Sequence, residues 1–196
     1  ILTEAQKDYD LLIMGSSETN RRGILFTPLV DDLVRLSPCP SIVVKGPREL
    51  TADWLPKRIL VPSNGSMASK RAGEVAFALA GDTDEEVHIL QVIERRKNDL
   101  LLEADEDVYQ RRVTIARQIV DELGAVGESL GVKTKPVVEF GPDPETVILN
   151  QAQENNVDLI VIGTGVRPGS SDLYLGPRVE YILNNAPCPV IVVNSG

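Results

Sequence analysis

The amino-acid sequence predicts an α/β fold, a five-stranded parallel sheet with helices on both faces, plus a partial second copy of the same unit. Three observations lead there. From Arg58 onward, short apolar runs alternate with longer stretches of helical period. Motifs in residues 1–46 recur, in the same order, in residues 148–193. The composition, 42% hydrophobic and 25% charged over 196 residues, is that of an ordinary globular chain.

Each element has its own signal. Arg58-Ile59-Leu60-Val61-Pro62 is an apolar run halted by proline and by the turn residues Ser63-Asn64-Gly65-Ser66, which predicts a buried strand. Residues 67–80 are alanine-rich, with Ala72, Val75, Ala76 and Leu79 at helical spacing. Val87 to Ile93 predicts a second strand and 95–106 a charged surface loop. A long helix follows to about Leu130, with Ile115, Ile119, Val120, Leu123 and Val126 along one stripe. Thr134 to Phe140 is a third strand, and Gly141-Pro142-Asp143-Pro144 opens a third helix. Asp158 to Ile162 is the fourth strand, 177–185 the fourth helix and Val190 to Val193 the fifth strand. Strands separated by helices imply right-handed crossovers, and a ligand crevice beyond the carboxyl ends of the strands. Two turns are candidates for that crevice, residues 62–66 and Gly163-Thr164-Gly165.

The repeat sets the expected organisation. ILTEAQKDYDLLIM (1–14) and ILNQAQENNVDLIVI (148–162) each run into a glycine, Gly15 and Gly163. SPCPSIVV (37–44) returns as APCPVIVV (186–193). Residues 1–46 are therefore expected to be the C-terminal part of a first domain, 47–56 a linker packed down by Trp54, and 57–196 a complete domain. The chain, which starts without methionine, is expected to be a fragment of a longer protein or a processed product. The strands at 41–44 and 190–193 each terminate a copy. They are expected at sheet edges, pairing with another copy within the chain (a pseudo-dimer) or across a homodimer, because bare apolar edges are liabilities.

Composition excludes several functions. With 29 acidic and 20 basic residues the net charge is -9, which repels phosphate backbones and argues against nucleic-acid binding. No apolar run reaches the roughly 20 residues of a membrane span. The charged start ILTEAQKD does not read as a signal peptide. Two distant cysteines, Cys39 and Cys188, fit a reduced cytoplasmic chain and sit in matching Pro-Cys-Pro turns as small buried residues. One histidine, His88, leaves no basis for a histidine metal site or a Ser-His-Asp triad. No catalytic pair and no metal site is expected, and the chain is not read as an enzyme.

RILVPSNGS, DLIVIGTG and APCPVIVV together resemble the universal stress protein family, over 57–196 as a whole domain and 1–46 as the last third of another. The resemblance implies strand order 3-2-1-4-5, dimerisation through the fifth strand, and in many members a bound ATP or AMP. Nucleotide-binding members carry a glycine, two residues, a second glycine, nine residues, then Gly-Ser or Gly-Thr. Here Gly163 and Gly176 keep that spacing, but position 166 is Val166 with Gly165 beside it, and Pro177 follows the last glycine. Asn64 stands where the family has an adenine-binding aspartate. In the first copy Gly15 survives beside Glu18 and Pro28-Leu29, a set poorly suited to a nucleotide.

The implied ligand residues are Pro62, Ser63, Asn64, Val92, Ile162, Gly163, Thr164, Gly165, Arg167, Gly176, Pro177 and Arg178. Pro62 and Val92 offer apolar contact to a base, and each also fits an ordinary core position. Asn64 can address an adenine edge or a ribose hydroxyl, and equally fits simple turn chemistry with Gly65. Gly163 and Gly165 let a ligand approach backbone N–H groups, or mark a tight strand exit alone. Gly176-Pro177 opens a helix whose N-terminus attracts anions, with one donor fewer for the proline. Arg167 and Arg178 supply charge, or are solvated surface. AMP is expected to bind at least as well as ATP, with the magnesium requirement left open. YDLLIMGSSE and SPCPSIVVKG also resemble the cytosolic tail of some bacterial cation/proton antiporters, which implies a regulatory region attached to a membrane transporter. The alternative is a dimerisation or interaction domain with a vacant pocket, indicated by Asn64, Val166 and Pro177.

Overall fold

The structure, a computed structural model, describes residues 1–7, 9–16, 26–46, 54–81, 86–95, 106–165 and 175–194. Seven strands are present among them: β1 (Leu12–Ser16), β2 (Ser41–Lys45), β3 (Ile59–Pro62), β4 (Glu86–Glu94), β5 (Lys133–Gly141), β6 (Leu159–Thr164) and β7 (Val190–Asn194). The helices are α1 (Leu2–Ala5), α2 (Pro28–Leu36), α3 (Met67–Ala80), α4 (Glu106–Ser129), α5 (Pro144–Glu154) and α6 (Pro177–Asn185).

All strands form one sheet of order β1-β2-β7-β6-β3-β4-β5. From β7 to β5 every pairing is parallel, and the strands β3 to β7 follow the 3-2-1-4-5 order. The expectation of a five-stranded parallel sheet is nonetheless corrected: the sheet is seven-stranded and mixed. The reason is β2, which pairs antiparallel with β7, Ser41 opposite Asn194 and Lys45 opposite Val190, while β1 lies parallel on its far side. The two strands that terminate the repeat copies hide each other's apolar edges. They thereby sit inside the sheet and not at its edges, which are β1 and β5.

The repeat is faithful at atomic level. Leu12 lies opposite Ser41 and its N–H donates to Pro40 O at 3.0 Å. Ile160 lies opposite Val190 and its N–H donates to Pro189 O at 3.0 Å. Both faces of the sheet are covered, as alternation of strand and helix requires. One core gathers Val30 and Val34 of α2, Ile148 of α5 and Ile182 of α6 against Leu60, Leu90 and Ile160. The other packs Ala72, Ala76 and Phe77 of α3 and Val120 and Leu123 of α4 against Ile59, Val61, Ile89 and Val161. Adjacent β2 residues divide between them, with Val43 in the first core and Ile42 in the second. Trp54 packs against the second core, as expected for the end of the connecting segment.

The start of β3 is tied down by a carboxylate. Asp158 Oδ2 accepts from the Lys57 N–H at 2.9 Å, and Asp158 Oδ1 accepts from the Arg58 N–H at 3.0 Å. Cys39 is buried, and burial pushes the Cys188 thiol up to about 12, with Asp158 adding to the shift. Both are therefore small packing residues, and Cys188 carries little thiolate at neutral pH.

His88 is also buried, 8% exposed on β4. Its pKa lies below the ordinary 6.5 because burial and then the Lys135 charge disfavour the imidazolium, only partly offset by Glu86 at 3.2 Å. An unfolded chain takes up this proton near pH 6.5, and the native chain only at lower pH. Stability is thus unaffected by His88 above that value and falls as pH drops through the interval between the two. Urea unfolding at pH 7.5 and pH 5 is expected to show a larger acid loss for the wild type than for His88→Gln. A larger acid loss in His88→Gln would mean that the Glu86 pair dominates.

Candidate functional site

The crevice opens at the carboxyl end of β3, where the chain crosses over to β4 on one side and β6 lies on the other. In a parallel α/β sheet this is the position at which strand ends diverge and leave room for a ligand. Two adjoining hollows occupy it. The deeper one, about 230 Å³, is lined by Pro62, Ser63, Asn64, Leu90, Gln91, Val92, Ile148, Ile162, Gly163 and Ile182, among others. The wider one, about 540 Å³, is bounded by Asn64, Ser66, Ala68, Gly163, Thr164, Gly165, Gly176, Pro177 and Arg178. Asn64, Gly163 and Arg178 line both. Every expected ligand residue among the described ones therefore borders the crevice, and Arg167 lies outside the described residues.

Two helices point their N-termini at it. α3 is capped by Ser66, whose Oγ accepts from the Ser69 N–H at 3.3 Å. Asn64 Oδ1 accepts from the Ser66 N–H at 3.1 Å, so its oxygen shapes the turn and its amide N–H₂ group remains a donor at the exposed rim. Behind it, Ser63 Oγ lies 3.2 Å from Ser69 Oγ, which itself donates to Ser66 O at 2.9 Å. α6 begins after Gly176, at φ +96, a conformation that side-chain-bearing residues rarely adopt. Pro177 occupies the first turn, and no side chain caps this helix among the described residues. Its first N–H groups thus remain available to an anion.

The charges at the mouth come from three elements. Arg178 Nη2 bonds Glu94 Oε2 at 2.7 Å, and its Nε lies 3.5 Å from Glu145 Oε2, near enough for charge attraction without a hydrogen bond. Arg178 is therefore neither a free phosphate ligand nor merely solvated: it spans the carboxylates of β4 and α5. The deep end is apolar, walled by Pro62, Leu90, Val92, Ile148 and Ile162, with Gln91 on the same wall and its Oε1 buried without a partner.

Sequence reasoning placed Ser66 in a candidate turn without a role, and missed Ser69, Gln91, Glu94 and Glu145. Ser66 and Ser69 carry a local signal, a capping serine three residues before another hydroxyl. Glu94 and Glu145 carry none, since their partner Arg178 lies 84 residues from Glu94. Gly163 acquires a physical role that the sequence left open. A Cβ there would lie 2.0 Å from Ala68 O, so the first turn of α3 sits directly on the end of β6.

A Cβ at Gly165 or at the repeat-equivalent Gly15 would meet nothing within 4 Å. Gly163→Ala is thus expected to destabilise the chain by about 1–3 kcal/mol, since backbone cannot yield as a flexible side chain can. Gly165→Ala and Gly15→Ala should stay within about 0.5 kcal/mol of wild type. Urea midpoints of the three variants check this, and equal effects would show that the α3 contact is not limiting.

Comparison with known proteins agrees with this geometry. The family model described as "Universal stress protein family" matches residues 1–45 and 56–194. A universal stress protein of Methanocaldococcus jannaschii is 29% identical over 149 residues, 70% of this chain and 81% of its own length. The solved universal stress protein from Archaeoglobus fulgidus is similar in fold at a TM-score of 0.65 and 22% identity, over 98% of this chain and 65% of that one. A family protein from Arabidopsis thaliana, solved with AMP bound, matches at 0.53 and 20% identity, over 72% of this chain and 93% of its own. A universal stress protein in complex with cAMP matches at 0.53 and 17% identity, over 73% of this chain and 100% of its own. The chain belongs to the universal stress protein family.

Proposed function

We propose that this chain is a regulatory module that binds an adenine mononucleotide in the crevice, with AMP held at least as well as ATP. One observation carries the reading: an apolar slot between β3, β4 and β6 opens onto the N-terminus of α6, with two carboxylates at its mouth. Pro62 and Val92 would flank the base, and the Asn64 amide N–H₂ would donate to it or to the ribose. Gly163, Thr164, Gly165 and the first turn of α6 would hold the first phosphate. The AMP and cAMP complexes of the two family relatives support an adenine ligand.

The charge balance supports few phosphates. Glu94 and Glu145 both lie against Arg178, and Pro177 contributes neither an N–H nor a hydroxyl. Each charge-assisted hydrogen bond not made to an outer phosphate forgoes about 1.5–3 kcal/mol, roughly tenfold or more in affinity. The additional phosphates of ATP would also lie near the two carboxylates in a chain of net charge -9.

In the same reading, residues 1–46 are the C-terminal part of one universal-stress-type domain and 57–196 a whole one, joined as a pseudo-dimer through β2 and β7. The module is not a catalyst and works in the cytoplasm. No helix among the described residues is long and apolar enough to cross a membrane. Attachment to an antiporter rests on the sequence resemblance alone.

A second reading has its own support: an interaction module whose crevice stays vacant. Arg178 is already engaged by carboxylates and Asn64 Oδ1 by its own turn. Calorimetric titration with AMP and ATP, each with and without magnesium, separates the two. The proposal expects AMP to bind at least as tightly as ATP, and Glu94→Gln to narrow the difference by favouring ATP. A tenfold preference for ATP would refute the charge argument, and no binding of either nucleotide would establish the vacant crevice.

A further inference from the structure

Asn64 is the asparagine of this chain that precedes a glycine; the others precede Arg, Asp, Gln, Asn, Val, Ala or Ser. Glycine has no side chain to shield its backbone nitrogen, so at an Asn-Gly step that nitrogen can reach the asparagine Cγ. The fold sets this step at the exposed rim where the two hollows meet, since Asn64 lines both. Asn64 Oδ1 accepts from the Ser66 N–H at 3.1 Å. That bond folds the side chain back toward the Gly65 peptide and polarises the amide carbonyl. A donor is thus already aimed at the oxygen on which negative charge develops when Cγ is attacked. The Gly65 N–H donates to Ser63 Oγ at 3.3 Å, a long bond that costs little to break. Other asparagines are placed differently: Asn194 is buried, and the Nδ2 groups of Asn155 and Asn185 donate to Gln151 O and Tyr181 O.

We propose that Asn64-Gly65 is a self-modifying site, at which the native turn converts the rim amide into a carboxylate. Gly65 N gives its proton to hydroxide and bonds to Asn64 Cγ. The tetrahedral centre expels Nδ2 as ammonia, with a proton from water, and leaves a five-membered succinimide. Water then opens the ring at one of its two carbonyls. Opening at Cγ gives aspartate with the ordinary backbone, and opening at the backbone carbonyl carbon gives an isoaspartyl link through Cβ. The net change is one water consumed and one ammonia released. The aspartate product exchanges a donor for a negative charge, in a mouth that already holds Glu94 and Glu145. It keeps an oxygen for the Ser66 N–H, now in a charge-assisted bond beside the start of α3. The isoaspartyl product lengthens the backbone between buried Ser63 and the Ser66 cap. That turn has little room to expand, because the first turn of α3 is seated on Gly163. This inference does not rest on nucleotide binding.

The test incubates the full chain at 37 °C, at pH 7.5 and pH 8.5, both native and in urea. The tryptic peptide 59–70 contains Asn64 and no other asparagine, so a gain of one mass unit in it, matched by released ammonia, reports conversion. The proposal expects Asn64 in the native chain to convert at least tenfold faster than any other asparagine, at a rate no lower than in urea, and faster at pH 8.5. Asn64→Asp supplies the standard for the ordinary aspartate product and should melt no lower than wild type, while the isolated isoaspartyl form should melt lower. A native rate below the rate in urea would overturn the proposal, because the turn would then be protecting the amide. So would native conversion spread evenly over several asparagines.

Discussion

The antiparallel seam between β2 and β7 is the interaction on which the whole sheet depends. The described residues of 1–46 form two short strands and two short helices, too little to enclose a core alone. Pairing with β7 removes the edge of β2 from solvent and places its alternate side chains in two different cores. Val43 is 1% exposed on one face and Ile42 5% on the other. A strand buried on both faces cannot shift by one residue without exchanging those faces. The seam therefore fixes the register of β2, and through it that of β1.

The crevice follows from the same sheet. β3 lies at the point where successive crossovers leave in opposite directions, toward β4 on one side and β6 on the other. Strand ends diverge there, and helices from opposite faces, α3 on one and α5 and α6 on the other, approach across the gap. Gly163 is what lets them come close, since α3 would be displaced by any side chain at that position. A glycine that reads in sequence as room for a ligand is, in space, room for a helix. The hollow beside that contact is a consequence of the packing, and the helix N-termini give it a preference for negative charge.

Much of the fold was legible because the repeat and the alternation of apolar runs with helical periods are local signals. β3, β4, β6, β7, α3 and α6 fall where those signals put them. The turns at 62–66 and 163–165, just beyond apolar strand runs, likewise pointed to the crevice. What was not legible is long-range. The repeat led to the expectation that Ser41–Val44 pairs with another copy, and β2 does pair with β7 of this chain, but nothing in the residues gives the antiparallel sense or shows that β1 and the second copy would place both strands inside the sheet and not at its edges. Arg178 read as a source of charge for a phosphate or as solvated surface, and nothing singled out Glu94 or Glu145, because only the folding of β4, α5 and α6 onto one another brings them together.

That charged cluster also changes the meaning of the sequence's departures from the nucleotide-binding pattern. Taken singly, Pro177 and Asn64 look like losses. In the structure Pro177 starts α6 without using a donor that the helix could satisfy internally, because first-turn N–H groups have no intrahelical partner. Asn64 closes its own turn and still keeps an N–H₂ group at the rim. The larger constraint is electrostatic. Arg178 is 55% exposed, so its ion pairs are of the solvent-screened kind worth about 0–1 kcal/mol, weak enough for a phosphate to compete with Glu94 and Glu145. Displacing them, however, leaves two carboxylates near the incoming charge. A bound first phosphate would replace one interaction with another, whereas each further phosphate would add repulsion with no additional cation among the described residues lining the crevice. In the proposed reading the mouth would discriminate by phosphate number through what it already contains, and the apolar slot behind it would be left to select the base.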